Sequence, residues 1–159
     1  MDERHMAGAV AGGVVAGLVI TAILIFGERQ SGRPSELAEL GRVGEKKVRM
    51  ETSPADALPS AREQALIQGS HLALSALAGV VYAATVDKDA SVVKSGIGFG
   101  LAFYTVAHWI AGPLLGLKRP EWQSHVKIIV MHTINHVGFG LITALGARTA
   151  SRFNQESAQ

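Results

Sequence analysis

The sequence predicts an all-α protein, an integral-membrane bundle of four helices with a polar loop after the first. Three observations predict it. Four stretches of about 20 residues carry no formal charge, the length a helix needs to cross a hydrocarbon core of roughly 30 Å; they are Met6 to Phe26, Ala65 to Val86, Ser95 to Leu117 and Ile128 to Ala147. Almost every charge lies between or outside them. Glycines and prolines gather at the ends of the apolar runs or recur at helical spacing within them. The organisation that follows is a first span with its short tail over 1–27, a polar loop over 28–60, three spans over 61–150 and a tail over 151–159.

Composition narrows the classes further. The net charge of +2 is small and basic residues are interleaved with acidic ones, which argues against a nucleic-acid partner. The chain has no cysteine, so disulfides, thiolate-bound zinc, iron-sulfur clusters and covalent c-type haem are excluded. No nucleophile elbow, HExxH, P-loop or carboxylate pair is present, and an enzyme is the least supported class.

The first span reads as a retained anchor, being longer than a signal-peptide core and lacking a clear small-residue exit. Within it Gly8 and Gly12, and again Gly13 and Gly17, are four apart. That spacing lets helix backbones approach in lipid, either inside the bundle or across a homodimer. The loop contains Pro34, Pro54 and Pro59; Leu37, Leu40 and Val43 recur at helical spacing, giving a short surface helix over Ser35 to Val48 that Gly41 and Gly44 weaken. Ser60-Ala61-Arg62-Glu63 fits a capping box, so the second spanning helix starts ahead of its apolar run.

That second span carries His71, Ser75, Gly79 and Tyr82 along one side. The short Asp87-Lys88-Asp89 connection predicts that spans two and three are antiparallel neighbours. Span three has Gly96, Gly98 and Gly100 at its start and Tyr104 and His108 one turn apart near its end, before a Gly112-Pro113 pair expected to stop the helix. Another short loop lays span four against span three, with His132, Asn135, His136, Gly140 and Thr143 as its stripe.

Alternating chain direction puts His71, His108, His132 and His136 in one layer, roughly 6 to 12 Å inside one membrane face. Trp109 and Trp122 fall on the same side, as interfacial aromatics do, and His5 on the other. Ionisable side chains within spans are costly and often mark a metal, a cofactor or a proton path. Neutral imidazole is a common metal ligand, and His132 with His136 at i, i+4 can present two nitrogens from one helical face. A transition metal or a haem-like group could therefore be held by these histidines, haem through His71 with His136 or His108 with His132; a chlorophyll would need one histidine beside small residues. Ser75, Tyr82, Tyr104, Asn135 and Thr143 would line such a site. The plainer alternative is four neutral histidines that hydrogen-bond neighbouring helices. No carboxylate lies within the spans, which counts against a proton-coupled pump and a hydrolase; Glu63 and Glu121 read as solvated loop charges.

The second half resembles the YagU-like family of small bacterial inner-membrane proteins of uncharacterised function. The resemblance rests on His71 opening the second span with Gly79 and Tyr82 after it, a Gly-rich third span, His108 followed by Pro113-Leu114-Leu115-Gly116-Leu117, and His136 early in the last span. It covers roughly residues 68 to 148. That family would carry a carboxylate in place of His132, so the carry-over extends to His71, His108 and His136. The resemblance implies a multipass inner-membrane protein with both termini cytoplasmic and the histidine layer toward the periplasm. Basic residues point the other way, numbering 10 in the first and third loops against 5 elsewhere. The sequence thus leaves two functions open: a histidine-lined polar site that binds a metal or cofactor or passes a small solute, or an accessory or scaffolding subunit that forms a homo-oligomer or joins a larger membrane complex.

Overall fold

The computed structural model describes residues 2–156, with side chains through residue 152. All the regular structure among them is helical. Helix α1 (Glu3–Ser31) begins where the Asp2 carboxylate accepts from the amides of Arg4 and His5, and ends at Gly32, whose φ of 67° is a conformation that glycine adopts without a Cβ penalty. The loop helix α2 (Glu36–Lys47) is capped by Ser35, and α3 (Ala61–Thr85) by the Ser60/Glu63 capping box. Helix α4 (Val92–Tyr104) passes into a π-helical stretch over Thr105–Ala111 and then into the single turn α5 (Gly112–Leu114). A 3₁₀ turn over Glu121–Gln123 precedes α6 (Val126–Glu156).

The Gly112-Pro113 pair does not stop the third span. The chain widens to i→i+5 bonding ahead of it, the Gly112 amide donating to the Ala107 carbonyl. Pro113 then follows the widened turn, in which the looser backbone makes room for its ring. The span ends instead at Leu114, two residues before Gly116 takes a φ of 61°.

Among the described residues, four helical runs are long and apolar enough to cross a membrane: Glu3–Ser31, Ala61–Thr85, Val92–Leu114 and Val126–Arg152. They make one bundle in which α1 lies against both α3 and α6, and α6 also lies against α4. Leu18, Ile23, Leu74, Val81, Ile134 and Leu145 stand exposed on its outside, the surface a lipid chain would cover. Glycine decides which helices touch. A Cβ on Gly8 or Gly12 would run into Gly146 or Thr143 of α6, one on Gly13 or Gly17 into Ser75 of α3, and one on Gly96 or Gly100 into Leu141 or His136 of α6.

Spans two and three are neighbours, as their short connection predicts, and they meet through side chains: Tyr82 hydrogen-bonds Ser95 at 2.7 Å and meets Phe99 edge-on at a centroid distance of 5.2 Å. Their backbones do not approach as those of α4 and α6 do, where small residues face one another.

Helix α2 packs over the start of α3, with Gly41 against Ile67 and Ala38 fully buried. Arg42 fixes it there. Its guanidinium donates to Glu63 at 2.7 Å and to the carbonyls of Ala55 and Ala57 at 3.1 and 2.8 Å. Glu63 is therefore a buried ion-pair partner, not the solvated loop charge its position suggests. Glu28, at the end of α1, holds the other end of α2 by accepting from the amide and hydroxyl of Ser35.

Candidate functional site

Helix α2 enters on the same side of the bundle as the histidine layer, and its first residue reaches into that layer. Ser35 caps the helix, which turns Glu36 inward beneath the loop that joins α5 to α6. From that loop come Lys118 and Glu121; from the π-helical stretch comes His108, and from the second turn of α6 comes His132. These five side chains meet.

Lys118 uses all three of its N–H groups. Nζ lies 2.7 Å from Glu36 Oε1, 2.7 Å from Glu121 Oε2 and 2.9 Å from His108 Nδ1. His132 closes the other side, with Nε2 2.8 Å from Glu36 Oε2 and Nδ1 2.6 Å from Glu121 Oε1. Serving a carboxylate from each ring nitrogen takes an N–H on both, the imidazolium form. Cations and anions thus alternate around a ring, Lys118, Glu36, His132 and Glu121, with no net charge. Glu121 is fully buried and also accepts from the Tyr104 hydroxyl at 2.9 Å. This overturns the reading of Glu121 as a solvated charge. Three donors, one of them on α4 and one on α6, draw it inward.

The local electrostatics follow from those contacts. Burial opposes ionisation of Glu36, but His132 and Lys118 outweigh it and hold the carboxyl at about 2. Glu121 is likewise disfavoured by burial and brought down to about 2 by Lys118, His132 and Tyr104. Burial works against the Lys118 ammonium, yet the two carboxylates keep its pKa above the ordinary 10.5. A carboxyl with a folded value below its ordinary 4.5 stabilises the fold above that pH and loses its contribution as acid protonates it toward 2. Helix α2 is therefore expected to stay docked from pH 7 to pH 5 and to loosen only between about 4.5 and 2. Amide-exchange protection along Glu36–Lys47, corrected for intrinsic rates, measures this; loss of protection by pH 5 would contradict it.

No family model, curated protein or solved structure matches the chain. The residues themselves must carry the functional reading.

Of the histidines singled out from sequence, His108 and His132 belong to the ring and stand 4.5 Å apart between ring centroids. His136 lies beside them, 4.9 Å from His108, with Nδ1 donating to the His132 carbonyl at 2.9 Å. His71 sits apart from the ring, bonded through Nδ1 to Thr21, which in turn donates to Gln68. Axial haem ligands stand on opposite faces of the macrocycle, and two rings as close as His108 and His132 leave no room for one between them.

Tyr104 alone among the five polar lining residues touches the ring. Ser75 and Thr143 each bond back to a carbonyl in their own helix, of His71 and Phe139 respectively. Tyr82 pairs with Ser95 toward the opposite face, and Asn135 is half-buried on α6. Gly8 and Gly12 are spent on α6, Gly13 and Gly17 on α3.

Glu36 and Lys118 escape a reading of the spans because both lie in loops. The available signal for Glu36 was its place one residue after a helix-capping serine. Lys118 carried no comparable signal, following an apolar run as any flanking lysine does.

Chemically, Glu36, His108 and His132 each offer one ligand atom, all within 4.8 Å of one another. Around a single tetrahedral ion with bonds of about 2.0–2.2 Å, ligand atoms lie about 3.3–3.6 Å apart, so the three side chains would draw in by up to about 1.5 Å to hold one. Glu121 stands behind the two imidazoles, its oxygens 3.5 Å from His108 Nδ1 and 2.6 Å from His132 Nδ1.

Proposed function

We propose that this is a multipass membrane protein of the YagU-like kind, in the bacterial inner membrane, whose histidine layer binds a divalent transition metal. The observation that carries it is the convergence of Glu36, His108 and His132 from three separate elements on one point, with ligand atoms within 4.8 Å of each other. Two imidazoles and one or two carboxylates form a mixed nitrogen and oxygen set, suited to zinc, manganese or iron(II) and poorly suited to copper(I), which favours sulfur. As a ligand His132 gives up a ring proton, as any metal-bound imidazole must. Tyr104, donating to Glu121, would orient that carboxylate from outside the coordination sphere.

The test is elemental analysis of the detergent-purified full chain. Near-stoichiometric zinc, manganese or iron is expected in the wild type and is lost in both Glu36→Gln and His132→Ala. Wild-type protein purified from metal-supplemented cells with no bound metal would end this reading.

A second reading draws on a different observation. Lys118 and His132 between them satisfy both carboxylates, and Lys118 also donates to His108, so the ring is complete as a latch that fastens α2 and the α5–α6 loop to the bundle. In that case the protein is an accessory or scaffolding subunit and its histidines are structural. The orientation we favour places the loops on the histidine side in the cytoplasm, against the layout the resemblance implies. That side carries 10 of the 15 lysines and arginines, against 5 on the other.

A further inference from the structure

We propose that Lys118 is a tethered cation that competes with a metal for Glu36 and His108 of the Glu36–His108–His132 site, so that metal enters by displacing the lysine ammonium. The inference rests on the metal reading above and adds how that site is regulated. Its basis is the identity of the atoms involved. The ammonium lies within 2.9 Å of an oxygen of Glu36, an oxygen of Glu121 and Nδ1 of His108, and Glu36 and His108 are two of the three groups that a metal would draw on. An ion and the ammonium cannot share that space: a divalent cation bound to the same groups would stand against a like charge with no water between them.

The lysine is built to be displaced without unfolding its surroundings. It lies beyond the last turn of the third span, after Gly116 with its positive φ, on a short loop outside the helices. Its stem packs over Gly112, where an added Cβ would meet Lys118 Cγ at 2.9 Å, so on that side the side chain rests on backbone and no side chain has to move for it to withdraw. Glu36, at the open edge of the ring, keeps a third of its side chain exposed and gives the ammonium a direction in which to leave. Charge is conserved in the exchange: a divalent ion takes the place of the ammonium and of the ring proton that His132 gives up, so the site stays neutral.

The experiment titrates cobalt(II) into the purified full chain and follows its visible absorption, comparing wild type with Lys118→Met and Lys118→Gln. If the ammonium fills the pocket about nine-tenths of the time, removing it tightens apparent cobalt affinity about tenfold. Lys118→Gln, whose amide can still donate to Glu121, is expected to fall between wild type and Lys118→Met, and it keeps the test open should the methionine variant fold poorly. Cobalt binding by wild type with equal or weaker binding by both variants would overturn the competition and leave the metal site standing. No cobalt binding by wild type or by either folded variant would overturn both.

Discussion

Glu121→Ala is expected to destabilise the protein by about 3–5 kcal/mol, the cost of breaking a buried ion pair by removing one partner. The carboxylate is fully buried and takes bonds from Lys118, His132 and Tyr104, so its loss strands two cationic groups and a hydroxyl at once. The chain should lose much of its resistance to thermal unfolding in detergent, with α2 and the α5–α6 loop released first. A double variant, Glu121→Gln with Lys118→Met, removes one charge of each sign and should recover a large part of the loss. Equal destabilisation in the single and double variants would show that packing, and not charge, sets the effect.

The second large effect is expected at Gly140. A Cβ there would strike the Gly96 carbonyl and lie within 3.0 Å of the Gly100 backbone, and neither atom belongs to a side chain that can rotate away. Gly140→Ala therefore has to part α4 from α6. Overpacking in a close-packed interior costs about 1–3 kcal/mol, and a clash between two backbones belongs at the top of that range. Gly138→Ala is the matched control, since a Cβ at Gly138 meets nothing within 4 Å. Equal melting temperatures for Gly140→Ala and Gly138→Ala would refute the argument.

The spans were legible in the sequence because lipid imposes a strong and simple condition, about 20 uncharged residues to each crossing. The capping box at Ser60 and the loop helix after Ser35 were legible for a comparable reason, each being written in a few adjacent residues. Arrangement was harder. The short link between α3 and α4 made them neighbours but did not reveal that large rings such as Tyr82 and Phe99 would hold their backbones apart while α6 packs closely on both α1 and α4. The histidine layer could be placed by counting residues along each crossing, but the acids that convert it into a charge ring could not. Glu36 and Glu121 arrive from loops, and a loop position says nothing about whether a carboxylate meets water or a buried cation. Lys118 is the clearest case: a lysine flanking a span ordinarily faces solvent or headgroups, and only three-dimensional convergence reveals its partners.

The order in which the helices leave the ribosome differs from the order in which they pack. Helix α6 is the last of the four spans to be made, yet it carries the backbone surfaces on which both α1 and α4 rest. Until it enters the membrane, the glycine faces at Gly8 and Gly12 and at Gly96 and Gly100 have no partner within the chain. Three inserted helices are thus an incomplete product with two adhesive stripes facing lipid or other proteins. A chain cut short before Val126 should be recognised by membrane quality control as unassembled, although most of its hydrophobic length is already in place.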